Sequence, residues 1–176
     1  MQGIITSNTY VRDVSEPIIF LAGPDTNAPN WHDQAIGYLF SHEQNLVIAC
    51  PRRRIDSSYS PLLLSSNEDF SRAREWERHY LDLASQQGAI LFWLPGEARH
   101  TCDKVYGAMT RLELGQWMTR HHFDLSVRFC VGSDGKFPEL RTIAYDLSCD
   151  APGKMIFGTL EETCDEALRL VRLGKF

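Results

Sequence analysis

The chain has 176 residues, 43% of them hydrophobic and 23% charged, which suits a single globular domain over residues 1–176, large enough to bury about 70% of its unfolded surface. A net charge of −5 excludes a general attraction to nucleic acid or to an anionic membrane. No apolar run is long enough to span a bilayer and no secretory leader is read, so a cytoplasmic chain is expected. The five cysteines (50, 102, 130, 149, 164) have no short C-x-x-C spacing and read as reduced thiols. No His/Cys cluster has zinc spacing, so no metal is expected. His121 and His122 are adjacent and diverge on a helix. His32 and His79 read as satisfied surface or groove residues.

In chain order, residues 1–15 fit no βα unit and read as an arm or an extra edge strand. Pro17-Ile-Ile-Phe-Leu-Ala22 is a continuous apolar run, as in a strand buried on both faces. Asn30 can cap a helix carrying Trp31, Ala35, Ile36 and Leu39 on one face. Leu46 to Cys50 is a second strand, ended by Pro51. A polar loop through Asn67 follows, and Asp69 can cap a helix to about Gln86. Ala89 to Leu94 is a third strand. A helix runs from Thr110 to about His122. Val127 to Val131 is a fourth strand closed by Gly132. Phe137 to Leu147 is helical, with Pro138 suited to its first turn. Lys154 to Phe157 is a fifth strand. Thr159 to Leu173 closes the chain as a helix, opened by the capping box Thr159-Leu-Glu-Glu162. Alternating βα units predict an α/β, three-layer flavodoxin-like (Rossmann-like) fold with a five-stranded parallel sheet, order 2-1-3-4-5. Two long loops, Pro51 to Glu68 and Pro95 to Met109, leave carboxyl ends of strands, where such folds hold their chemistry. No G-x-G-x-x-G or Walker pattern follows a strand, so no dinucleotide or nucleoside triphosphate cofactor is expected.

The chief chemical candidate is Glu113 in Thr110-Arg-Leu-Glu-Leu-Gly-Gln-Trp117. It has two readings. It is an ionised carboxylate in a first helical turn, able to attack an electrophilic carbon, or the acid of a capping box begun by Thr110. Glu77 falls on the inward stripe of Ala73, Trp76, Tyr80 and Ala84, where an acid needs a partner or a job. It pairs with one of Arg52, Arg53 and Arg54, or it contacts a polar ligand. Gly23-Pro24-Asp25 leaves the first strand. Its glycine admits a ligand near the backbone, and its aspartate is either a turn cap or a cleft residue. Trp31, Trp76 and Trp93 are candidate binding aromatics, with Trp31 and Trp93 best placed to stack on a planar heterocycle, and Trp117 reads as core. Gly115 would let helix and strand pack closely or admit a sugar.

Several segments occur in one order: Phe20-Leu-Ala-Gly-Pro24, Asn30-Trp31-His32, Cys50-Pro-Arg-Arg53, Glu75-Trp-Glu77, Ile90-Leu-Phe-Trp-Leu-Pro95, Thr110-Arg-Leu-Glu-Leu-Gly115 and Val131-Gly132. Together they resemble the nucleoside 2-deoxyribosyltransferase superfamily, in particular its "like" branch, over nearly the whole chain from Pro17. The resemblance implies a homo-oligomer, dimer or higher, often with sites completed by a neighbouring subunit. It implies a glycosyltransferase of nucleotide salvage whose partners are a 2'-deoxynucleoside and a free nucleobase. Glu113 would be the nucleophile that attacks C1' and releases the base, and the deoxyribosyl enzyme would pass its sugar to a second base or to water. Metal and cofactor are not implied.

Two acids that many members of that family carry are missing. An aspartate six residues before the nucleophile is replaced by Gly107, and an acid just before the third strand by Gln87-Gly88. Asp25, Glu77 and Asp103 are the candidates for holding the sugar and protonating the base. The alternatives to transfer are N-glycoside hydrolysis of a nucleoside or nucleotide, with Arg52 to Arg54 or Arg111 on a 5'-phosphate, and a non-catalytic nucleoside-binding module.

Overall fold

The computed structural model describes residues 3–7, 9–11, 13–52 and 67–174, with residues 67–69 described by backbone only. The elements are β1 (Gly3–Thr6), β2 (Ile18–Ala22), α1 (His32–His42), β3 (Val47–Cys50), α2 (Asn67–Gln87), β4 (Ala89–Leu94), α3 (Ala108–Phe123), β5 (Phe129–Ser133), α4 (Leu140–Asp150), β6 (Ile156–Phe157) and α5 (Leu160–Leu173). All pairings are parallel, which gives an α/β fold of Rossmann-like type.

The expected five strands in order 2-1-3-4-5 need correction. Among the described residues the sheet has six, in the order β1-β3-β2-β4-β5-β6. The sixth comes from the N-terminal segment, where Gly3 to Thr6 runs beside Val47 to Cys50 in parallel register. Four residues are too short to announce a strand by alternation, and only the open edge of β3 gives them a ladder.

Side chains alternate across the sheet because the strand period is two. Ile18, Phe20 and Ala22 of β2 face one core with Ile90, Phe92 and Leu94 of β4, under α2, α3 and α4. Ile19 and Leu21 face the other core with Leu91 and Trp93, under α1 and α5. Both faces are covered, so the strands read as unbroken apolar runs.

Helix starts decide where the chemistry sits. At α5 the expected capping box forms, with Thr159 Oγ1 accepting from the Glu162 N–H and the Glu162 carboxylate accepting from the Thr159 N–H. The same spacing at Thr110 does not form one. The N-cap of α3 is Gly107, left-handed at φ 65°, with no side-chain cap. Thr110 and Glu113 therefore lie inside the helix, and Glu113 is in its second turn, not its first. Asn30 is not the cap of α1 either. Trp31 holds that position, and the Asn30 side chain instead donates to Asp33 and accepts from Arg52. α2 begins at Asn67, ahead of Asp69, whose side chain lies outside the described residues. β5 starts two residues later than expected and includes Gly132. A Cβ there would sit 1.8 Å from Thr163 Oγ1, so the glycine lets α5 lie on the strand.

Candidate active site

A cavity of about 420 Å³ opens beyond the carboxyl ends of β2 and β3, within the range of small-molecule sites. Its walls come from the loop after β2, from α2, from the end of the loop after β4 and from the start of α3. The loop after β2 is set by the core beneath it. Trp31 Nε1 donates to Pro24 O at 3.0 Å. A Cβ on Gly23 would lie 2.4 Å from Trp93 O and 2.7 Å from the Trp31 ring, so only glycine lets the chain pass between them. The opposite loop is pinned in several places. The Gly96 N–H donates to Asp134, the Tyr106 hydroxyl donates to Pro95 O at 3.0 Å, the Ala98 N–H donates to Asn27 O at 2.7 Å, and Asn27 Nδ2 donates to Thr101 Oγ1.

Glu113 faces this cavity and is not folded back onto its helix start. Its side chain is 12% exposed, and it is held by Arg74 of α2, whose Nη1 donates to it. The same nitrogen donates to Glu77, one turn further along α2, at 2.5 Å. One guanidinium thus joins two acids from two helices. Burial pushes the Glu77 carboxyl up from its ordinary value, Arg74 pulls it down and the Glu113 charge pushes it up again, with a net rise. Burial works against the Arg74 cation, but its bonds to Glu113 and Glu77 outweigh burial and raise it. The contact with Arg74 also fixes a Glu113 oxygen at the cavity wall, which suits a nucleophile.

Of the expected site residues, Glu113, Glu77, Gly23, Pro24 and Asp25 line the cavity together. Asp25 is at the lip with its side chain 55% exposed and Arg52 Nε 3.8 Å away. Burial raises its carboxyl and Arg52 lowers it, with a net rise that solvent at the lip softens. Trp31, Trp76, Trp93 and Gly115 do not line the cavity. Trp31 stacks on His32 at 3.8 Å, and Trp76 is fully buried, its Nε1 donating to Thr9 O. Trp93 lies in the core under α1 and α5. A Cβ on Gly115 would meet nothing within 4 Å, so close packing does not demand this glycine. Asp103 is exposed and also outside the lining. Arg52 bonds Asn30 and lies near Asp25 and Asp33 rather than Glu77. Arg53 and Arg54 fall outside the described residues, as does the loop through residue 66. Arg111 lies over the Phe137 ring at 5.2 Å.

His32 is buried, against the expectation of a surface or groove residue. It is 1% exposed, and burial and then Arg52 push it down to about 3. The cysteines are free, with Cys50, Cys130 and Cys164 buried.

Arg74, Lys104, Tyr106 and Thr110 line the cavity without having stood out in the sequence. Arg74 carried one usable signal, its i,i+3 spacing to Glu77. Its bond to Glu113, 39 residues away, needs the packing of α2 beside α3.

Among the described residues no group of three metal-ligating side chains occurs, and no helix is long and apolar enough to cross a membrane. No protein-family model matches the chain, and no curated protein matches it at a significant level.

Proposed function

We propose that this chain is a nucleoside 2'-deoxyribosyltransferase of flavodoxin-like architecture, working through a deoxyribosyl ester on Glu113. The observation that carries this reading is the Glu113 carboxylate, lining a cavity of about 420 Å³ and fixed by a cation rather than by its own helix cap. An oxygen of Glu113 attacks C1' of a 2'-deoxynucleoside, the C1'–N bond breaks and the base departs. A second base then attacks C1' from the vacated face and restores the carboxylate. Asp25, which lines the cavity at its lip, would meet a sugar hydroxyl. No metal or cofactor is called for. A homo-oligomer fits the exposed apolar side chains of Val105 and Met109, which are 73% and 52% exposed at the cavity rim.

A second reading is N-glycoside hydrolysis of a nucleoside 5'-monophosphate. Lys104 lines the same cavity, as does the uncapped start of α3 from Gly107 to Thr110, with no acid in its first turn. Cation and helix N-terminus both suit a phosphate.

Incubation with a 2'-deoxynucleoside and a second free base, with wild type and with Glu113→Ala, tests both. A swapped nucleoside that vanishes in the variant supports transfer. Free base and sugar without a swapped product support hydrolysis. No turnover with either protein leaves a nucleoside-binding module, and a fully active alanine variant removes the mechanism.

A further inference from the structure

The reaction proposed above requires a proton for the departing base. The acid that the resemblance would place ahead of the third strand is absent, with Gln87-Gly88 in its stead. The cavity supplies another carboxyl. Glu77 and Glu113 both accept from Arg74 Nη1, so an oxygen of each lies within two hydrogen-bond lengths of the other, about 6 Å at most. Retaining glycosidases keep their paired carboxyls about 5–5.5 Å apart. Both acids line the cavity, with side chains 30% and 12% exposed.

We infer that Glu77 is the proton donor and acceptor of this site, and that Arg74, by holding both acids on one nitrogen, ties proton release from Glu77 to bond formation at Glu113. The inference rests on the deoxyribosyl reading. In the free site two acids compete for one cation, and burial first, with the Glu113 charge added to it, favours a protonated Glu77 against the pull of Arg74. When a Glu113 oxygen bonds to C1', the C1'–N electron pair leaves with the base and Glu113 becomes a neutral ester. Its repulsion of Glu77 ends, and Arg74 serves Glu77 alone. Both changes favour the Glu77 anion, and its proton goes to the base nitrogen. One charge at contact moves a carboxyl by about 1–3 pH units. In the second half-reaction the incoming base gives its N–H proton to Glu77, its nitrogen bonds to C1', and the ester C–O bond breaks. Glu113 regains its charge and the arginine is shared again. The other titratable groups lining the cavity are Asp25, Lys104 and Tyr106. Among them Asp25 alone is another acid of the carboxylate range, and it sits out at the lip beside Arg52.

The test is the dependence on the departing base. Wild type and Glu77→Gln are compared on pairs differing in how much the base needs a proton: 2'-deoxyuridine with its 5-fluoro analogue, and 2'-deoxyguanosine with its N7-methyl cation, which leaves as a neutral base. A general acid is worth about 10²–10⁴-fold. Glu77→Gln should lose that factor on 2'-deoxyuridine or 2'-deoxyguanosine and far less on its activated partner. Equal loss on both members of a pair, or no loss on either, overturns the inference. Should Glu77→Gln fail to fold, Arg74 decides. Arg74→Gln should move the alkaline limb of kcat/KM, where Glu77 gives up its proton, up by about 1–3 pH units, and Arg74→Lys should bring it most of the way back. An unmoved limb overturns the coupling. A wild type inert on every substrate overturns the deoxyribosyl reading and this inference with it. A Glu113-dependent wild type with uniform loss in Glu77→Gln overturns this inference alone.

Discussion

Gly107 stands where the resembled family carries an aspartate, and replacing it tests why the acid is missing. The backbone there has φ 65°, and a Cβ would lie 2.5 Å from Phe137 Cζ and 2.6 Å from its Cε2. The left-handed conformation costs a non-glycine residue roughly 1–2 kcal/mol. Forcing a carbon into the ring adds about 1–3 kcal/mol, because Phe137 is buried and must shift. Gly107→Ala should therefore cost roughly 2–5 kcal/mol, measured by urea unfolding. In a Phe137→Ala background the overlap is gone and only the backbone part, roughly 1–2 kcal/mol, should remain. Gly107→Asp meets the same two obstacles, so it should weaken the fold without supplying the missing acid. A Gly107→Ala protein as stable as wild type, or one that loses the same amount in both backgrounds, refutes the reasoning.

Other outcomes follow from the same contacts. Wild type should lose stability below about pH 6.5, because the buried His32, pushed down to about 3, must stay neutral in the fold. The loss is about 1.4 kcal/mol per pH unit between those values, and His32→Phe should flatten it in urea titrations at stepped pH. Glu77 is raised from 4.5, so its contribution to stability declines as pH rises past that value. Glu77→Gln should gain on wild type through this window, and a constant difference would contradict the assignment. Gly132→Ala drives a carbon to 1.8 Å from Thr163 Oγ1 and should cost ~1–3 kcal/mol by overpacking, visible as a lower Tm. Asp103→Asn alters an exposed residue outside the cavity. Its turnover should match wild type and its stability should stay within about 0.5 kcal/mol.

The apolar runs made the sheet legible. β4 occupies Ala89–Leu94, the bounds expected for the third strand. The closing helix was legible from its cap and stripe, and its residues Leu160, Cys164, Ala167, Leu168 and Val171 are buried. β5 starts later than the pattern suggests because Val127 prolongs the apolar pattern across Arg128, while the N–H groups of both bond Asp124 and Ser85 outside the strand. The edge strand β1 is hard to read because four residues carry little periodicity. In the site, Glu113 stood out as an acid near a helix start beyond a strand and Glu77 as an acid on an apolar stripe, and both line the cavity. The tryptophans did not separate core from cleft, since ring size and strand position are the same for either. Identical Thr-x-x-Glu spacings gave a cap at Thr159 and none at Thr110. The difference lies one turn earlier, in the left-handed Gly107 that starts α3 at Ala108. The spacing of Arg74 to Glu77 is legible in the sequence, but its bond to Glu113 is not, because that joins two helices 39 residues apart in the chain.

The most direct test is chemical trapping. Wild type mixed with a 2'-deoxynucleoside and denatured in acid within the first turnover should yield a Glu113 peptide carrying one added deoxyribosyl group by mass spectrometry, absent from Glu113→Gln. Base release that proceeds with no adduct, or with the sugar on a different side chain, contradicts Glu113 as the nucleophile.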